Sequence, residues 1–213
     1  MRVIVTRPVG QAEPLASRLR TLGHEVVVCP LIRIEPLGGE TIDVSSYDWV
    51  VVTSPNGAAE LLRRMTGSLP RVAAIGPGTA AALRERGVEP DLVPVVSTQD
   101  GLLAELPRPA GRVLLAAAED ARRLLAVELD ADFEPLYRTV PLRPTEFPEG
   151  DLVVLASASA AHALAELGVG LPAVSIGPQT TDEARRHGIA VVAEAETHDL
   201  DGLVAAVARA AGG

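Results

Sequence analysis

Lysine is absent from this 213-residue chain, so every side-chain cation apart from histidine is an arginine. That excludes Schiff-base chemistry on a lysine and leaves permanent, forked charges for binding. There is one cysteine, Cys29, which excludes an internal disulfide and a thiolate metal cluster. It closes an apolar run and reads as a small buried thiol. Aromatic residues make up only 2 % of the chain, so the core must be built from Val, Leu, Ala and Ile, a mixture suited to parallel strands covered by helices. No apolar run approaches the roughly 18 residues of a membrane span. The first residues, Met-Arg-Val-Ile-Val-Thr-Arg-Pro, enter a strand without a leader pattern, and a cytoplasmic location is expected. A net charge of -9 argues against nucleic-acid or anionic-membrane partners while leaving room for a local anion site.

Familiar catalytic patterns are missing as well. There is no G-x-S-x-G elbow, no Walker lysine and no G-x-G-x-x-G after a strand. His24, His162, His187 and His198 show no H-x-x-x-H spacing and read as helix-end or surface residues, so no metal site is expected.

What is present is a passage that occurs twice. Residues 50–106 and 153–207 each carry an apolar run ending in a small polar residue, then Ile-Gly-Pro-x-Thr, then Thr-x-Asp and Gly-Leu. Gly76 to Gly101 and Gly177 to Gly202 have the same spacing. Each copy is strand, polar turn, helix, repeated, which implies two similar α/β sheets with helix N-termini along one edge. Such an edge is a surface for anions.

In order, residues 1–29 read as strand, helix, strand, stopped at Gly23. Pro30 to Pro36 and Pro135 to Pro141 alternate in character between prolines and are expected to cross between domains, pairing as a two-stranded hinge. Between them Trp49–Thr53, Arg71–Ile75, Asp91–Val95, Arg112–Ala116 and Phe133–Leu136 are strand candidates, with a helix start near Glu119 and Asp120. Leu152–Ala156, Ala173–Ile176 and Ile189–Ala193 complete a second set of five. The fold expected is therefore two flavodoxin-like, doubly wound parallel-sheet domains of strand order 2-1-3-4-5, joined by the crossover hinge. Residues 1–34 and 142–213 form the discontinuous first domain and 35–141 an inserted second domain. The order of units makes the second a circular permutation of the first, with the two switch-point edges facing each other across a cleft.

Candidate ligand residues sit at strand ends. Ser54-Pro55-Asn56-Gly57 is a helix start in which Ser54 caps, alone or together with ligand contact. In Ile75-Gly-Pro-Gly-Thr79 and Ile176-Gly-Pro-Gln-Thr180, Gly76 and Gly177 admit close backbone approach, and Thr79 and Thr180 cap or face a ligand. Thr98 and Thr197 recur beside them. Arg7 follows the first strand where a cation would meet a ligand, or is a surface arginine of a loop. Tyr137 either points a hydroxyl into the cleft or packs beneath the hinge.

Thr6-Arg7-Pro8, Val52-Thr53-Ser54-Pro55-Asn56-Gly57, the twin Ile-Gly-Pro-x-Thr turns, Leu136-Tyr137-Arg138-Thr139 and Thr197 to Gly202 together resemble the uroporphyrinogen-III synthase family over nearly the whole chain. The resemblance implies a monomeric, cofactor-free and metal-free lyase of tetrapyrrole biosynthesis. It would close hydroxymethylbilane into uroporphyrinogen III with inversion of the last pyrrole ring and loss of water, through an azafulvene and a spiro intermediate. By position it implies that Tyr137 assists departure of the hydroxyl, while Arg7, Thr53, Ser54, Asn56, Gly76, Thr79, Thr98, Ser157, Gly177, Thr180 and Thr197 bind the substrate. A transient handover from hydroxymethylbilane synthase would precede it. The first-domain turn Ala156-Ser157-Ala158-Ser159 lacks the Pro and Asn-Gly of its counterpart in the second domain. A non-catalytic polycarboxylate sensor is the alternative from another class.

Overall fold

The computed structural model describes residues 1–212. The chain folds as two compact units, one made of Met1–Arg33 and the residues from Thr139 onward, the other of Ile34–Arg138. β1 (Arg2–Val5) buries Val3, Ile4 and Val5 completely. α1 (Glu13–Thr21) carries Pro14 in its first turn, packs Leu15 and Leu19 inward, and is followed by Gly23 at φ +84. That left-handed angle is the usual glycine stop. β2 (Glu25–Val28) then returns parallel to β1.

β3 (Ile32–Pro36), β4 (Ile42–Asp43), β5 (Trp49–Val52), α2 (Pro55–Arg64) and β6 (Met65–Thr66) follow, with β4 and β6 forming a short parallel ladder. The buried Arg64 fixes the connection before β4: it donates to Leu37 O (2.9 Å), Glu40 O (2.9 Å) and Glu134 Oε1 (2.8 Å). β7 (Arg71–Ala74), α3 (Pro77–Arg84), α4 (Gln99–Glu105), β8 (Val113–Ala118), α5 (Leu124–Glu128) and β9 (Asp132–Pro141) complete the second unit. β10 (Leu152–Leu155), α6 (Ala158–Glu166), β11 (Ala173–Ser175), α7 (Pro178–Arg186), β12 (Val191–Glu194) and α8 (Leu200–Gly212) complete the first.

The first unit's sheet has the order β12-β11-β10-β1-β2 with every neighbouring pair parallel, which is 2-1-3-4-5 read from the other side. Side-chain alternation serves both faces. Val3 and Val5 pack with α1 and α8, whereas Ile4, Val153 and Leu155 pack with α6 and α7. The second sheet has the order β3-β9-β8-β5-β7. Its β9, β8, β5 and β7 run parallel and take the places of β2, β1, β10 and β11, so the second sheet is a circular permutation of the first. Val50 and Val52 face α2 and α3, and Trp49 and Val51 face α4 and α5. The α/β class with doubly wound sheets is thus as expected.

Three details differ from expectation. Residues 91–95 make only a single bridge, Ala73 to Leu92, instead of a strand, because Pro90 and Pro94 withhold ladder donors on both sides. The fifth strand of that sheet is β3, beside β9, so the two proline-bounded segments pair inside the sheet and not as a separate ladder. The helix expected at Glu119 begins at Leu124. Its N-terminus has no cap of its own, and the Gln99 side chain from α4 serves instead, accepting from Leu125 N (3.4 Å) and donating to Arg122 O (2.8 Å). Among the described residues no helix is long and apolar enough to cross a membrane.

Candidate active site

Parallel pairing decides where the candidates lie, because all strands of such a sheet end on the same edge. In the first unit this edge carries Arg7 after β1, Ser157 after β10, Gly177 and Thr180 after β11, and Thr197 after β12. In the second it carries Thr53, Ser54 and Asn56 after β5, Gly76 and Thr79 after β7, and Thr98 at the start of α4. Tyr137 joins the second group from β9.

A bulge aims Tyr137. Along β8 and β9, Ala116 pairs with Glu134 and Ala117 with Pro135, but Ala118 pairs with Tyr137, leaving Leu136 as the extra residue. Strict alternation would send Tyr137 to the same face as Phe133 and Pro135. With the bulge, Leu136 and Tyr137 both enter the cluster beneath α2. Pro135 cannot donate to a ladder and so favours the irregularity there. The Tyr137 hydroxyl consequently shares a 2.8 Å hydrogen bond with Ser54 Oγ. Burial pushes the phenol pKa above its ordinary value, the Ser54 hydrogen bond lowers it in part, and the Asp120 charge raises it further. At neutral pH this group is a proton-bearing hydrogen-bond donor.

Ser54 does two things at once. Its Oγ caps α2 by accepting from Gly57 N at 2.9 Å and also hydrogen-bonds the Tyr137 hydroxyl. Ser157 repeats the cap on α6, accepting from Ala160 N at 3.1 Å, without a tyrosine. Thr98 caps α4 through Gly101 N at 3.0 Å. The equivalent group in the other unit is Asp199, which accepts from Gly202 N at 2.8 Å. Thr197 instead donates to Asp199 Oδ1 at 2.9 Å. Asp199 was missed in the sequence, although counting back from the paired glycines Gly101 and Gly202 finds it opposite Thr98. Asp199→Ala is expected to cost about 1 kcal/mol, read as a lower urea midpoint; an unchanged midpoint would count against the cap.

The paired glycines have a local explanation. A Cβ on Gly76 would lie 2.6 Å from Ser97 Oγ, and one on Gly177 would lie 2.8 Å from the His198 ring. In the next turns a Cβ on Gly101 or Gly202 would lie 2.0 Å from the carbonyl oxygen of Val96 or Thr197. The close approach that these glycines permit is made by the chain itself. Next to them Thr79 and Thr180 are buried in the first turns of α3 and α7, where free amides point outward along the strand-end edge. Thr53 and Asn56 are half-buried at the start of α2.

Arg7 is the one candidate cation. It is half-buried, and burial alone lowers its pKa from the ordinary value, with no carboxylate neutralising it among the described residues. An arginine stays protonated under such conditions. A guanidinium without a carboxylate partner can take an anion by charge-assisted hydrogen bonds. Elsewhere, His162, Glu183 and His187 draw together on the first unit although their sequence spacing gave no metal signature.

Known proteins are similar to this chain in sequence and fold. The uroporphyrinogen-III synthase HemD family matches residues 13–205. A putative uroporphyrinogen-III synthase of Archaeoglobus fulgidus is 31 % identical over 229 residues, covering 96 % of both chains. A putative uroporphyrinogen-III synthase of Methanocaldococcus jannaschii is 29 % identical over 149 residues, and this match spans 65 % of the present chain and 62 % of the relative. A mutant uroporphyrinogen III synthase of Thermus thermophilus has the same fold, with a TM-score of 0.65 at 20 % identity over 100 % of this chain and 99 % of that one. The chain belongs to the uroporphyrinogen-III synthase family.

Proposed function

We propose that this protein is a cyclising lyase that converts hydroxymethylbilane to uroporphyrinogen III, inverting the last pyrrole ring and releasing water. The observation that carries the site assignment is the bulge that delivers Tyr137 onto Ser54 at the end of the second sheet. When the pyrrole nitrogen expels the terminal hydroxyl, negative charge grows on the leaving oxygen, which becomes water by taking up the proton that the pyrrole N–H loses as the azafulvene forms. A neutral phenol donating to that oxygen lowers the barrier, and its raised pKa suits hydrogen-bond donation more than complete proton transfer. Ser54, held by Gly57 N, keeps the phenol oriented and returns a hydrogen bond as charge develops.

The substrate's eight carboxylates need donors and little else. Arg7 and the amides at the starts of α6 and α7, with Ser157, Gly177 and Thr180, serve the first unit, while the Thr197 hydroxyl is held by Asp199. Thr53, Asn56, Gly76, Thr79 and Thr98 serve the second, and Ser54 serves it through Tyr137. Held folded, the bilane closes at the substituted carbon of its last ring before simple head-to-tail closure competes. The protein acts as a monomer in the cytoplasm, without a cofactor, receiving the reactive bilane directly from hydroxymethylbilane synthase. A non-catalytic sensor is not favoured, since the family match extends over residues 13–205. The test is the disappearance of freshly generated hydroxymethylbilane. Consumption should rise in proportion to protein concentration, and consumption at the spontaneous rate would exclude catalysis.

A further inference from the structure

Away from the strand-end edge, the first unit gathers three side chains that no step above uses. His162 comes from the middle of α6, and Glu183 and His187 lie one turn apart at the end of α7. His162 Nδ1 is 3.3 Å from Glu183 Oε1 and 3.4 Å from His187 Nε2, while His187 Nε2 is 3.0 Å from the same oxygen. Two imidazole nitrogens and one carboxylate oxygen thus form a nearly equilateral triangle.

That triangle has the dimensions of a metal's ligand set. Tetrahedral Zn²⁺ with bonds of about 2.0–2.1 Å sets its ligand atoms about 3.3 Å apart. A cation about 2 Å from all three atoms sits just outside their plane, with a fourth direction open to water. We propose that His162, Glu183 and His187 bind a divalent transition metal of the zinc type and thereby tie α6 to α7.

The surroundings fit this use. Arg186 pairs with the other oxygen of Glu183, Oε2, leaving Oε1 for a monodentate bond. Glu166 Oε1 lies 3.8 Å from His162 Nε2, on the side of the ring away from the triangle. His187 caps the C-terminus of α7, where a cation meets the negative end of the helix dipole. Two imidazoles select zinc, nickel, cobalt or copper over magnesium and calcium, which prefer oxygen alone. His162 and His187 are exposed, so the metal has an entry path. The site lies at the opposite end of α7 from Gly177, about 15 Å away at 1.5 Å per residue. Its role is therefore structural, independent of the proposed reaction.

The test is titration of the chelator-stripped full chain with Zn²⁺ at neutral pH, by calorimetry and thermal melting together. One ion per chain is expected, with a Tm that climbs as free Zn²⁺ increases. His162→Ala, His187→Ala and Glu183→Gln should each weaken binding by more than about tenfold and abolish the Tm rise. Their metal-free far-UV spectra and Tm should match the parent, and His162→Gln replaces His162→Ala if the latter does not fold. His24→Ala should bind as the parent does, and Mg²⁺ should give no saturable heat. Absence of saturable Zn²⁺ binding, or unchanged binding in His162→Ala, would overturn the proposal.

Discussion

Tyr137→Phe lowers kcat about a hundredfold, the low end of what losing one positioned hydrogen-bond donor costs, and leaves KM nearly unchanged. The split follows from the geometry. The ring keeps its place in the cluster beneath α2, and only the hydroxyl bonded to Ser54 is removed. Ser54 Oγ retains its bond from Gly57 N, so the stability loss should be about 1 kcal/mol, the worth of one hydrogen bond. The pH dependence provides an independent check. With its pKa raised, the folded protein holds the phenolic proton more tightly than the unfolded chain does. This contribution to stability is complete below the unfolded tyrosine value of about 10 and is lost as pH rises through the higher folded value. Activity that depends on the phenol should accordingly survive to more alkaline pH than an ordinary tyrosine allows. An unchanged kcat in Tyr137→Phe would remove Tyr137 from the reaction.

Arg7→Ala lowers kcat/KM by about 10- to 100-fold, the worth of one charge-assisted hydrogen bond, and does so mainly through KM. A guanidinium that is partly desolvated and faces no carboxylate among the described residues already carries its desolvation cost before ligand arrives. Binding an anion then recovers much of that cost. Arg7→Lys should restore part of the affinity, because the charge returns without the fork. The parent's KM should rise with ionic strength more steeply than that of Arg7→Ala, since screening weakens an interaction the variant lacks. Equal KM values in parent and Arg7→Ala would make Arg7 a surface residue.

The parts of this fold that were legible in the sequence are those governed by local pattern. Val3–Val5, Leu15, Leu19 and Gly23 announce a strand, a helix and its stop, and the structure has them there. Ser54 and Ser157 announce caps because a hydroxyl before a helix satisfies a free amide. The duplicated glycines also exposed the permutation, since repeats preserve the order of units. Matters decided by tertiary partners were hidden. Residues 91–95 look like a strand by composition, yet two prolines leave only the Leu92 bridge. The N-terminus of α5 depends on Gln99 from another helix. The rotation of Tyr137 depends on one unpaired residue, Leu136, that no periodicity reveals. His162 and His187 meet only because α6 packs on α7.

Which ring carbon closes decides the isomer composition of the product. Purified protein would be given freshly generated hydroxymethylbilane, the products oxidised, and uroporphyrin isomers I and III separated by chromatography. Isomer III should predominate, in a fraction that climbs with protein concentration and falls toward the spontaneous level in Tyr137→Phe. Isomer I alone, at every protein concentration, would contradict the proposed function.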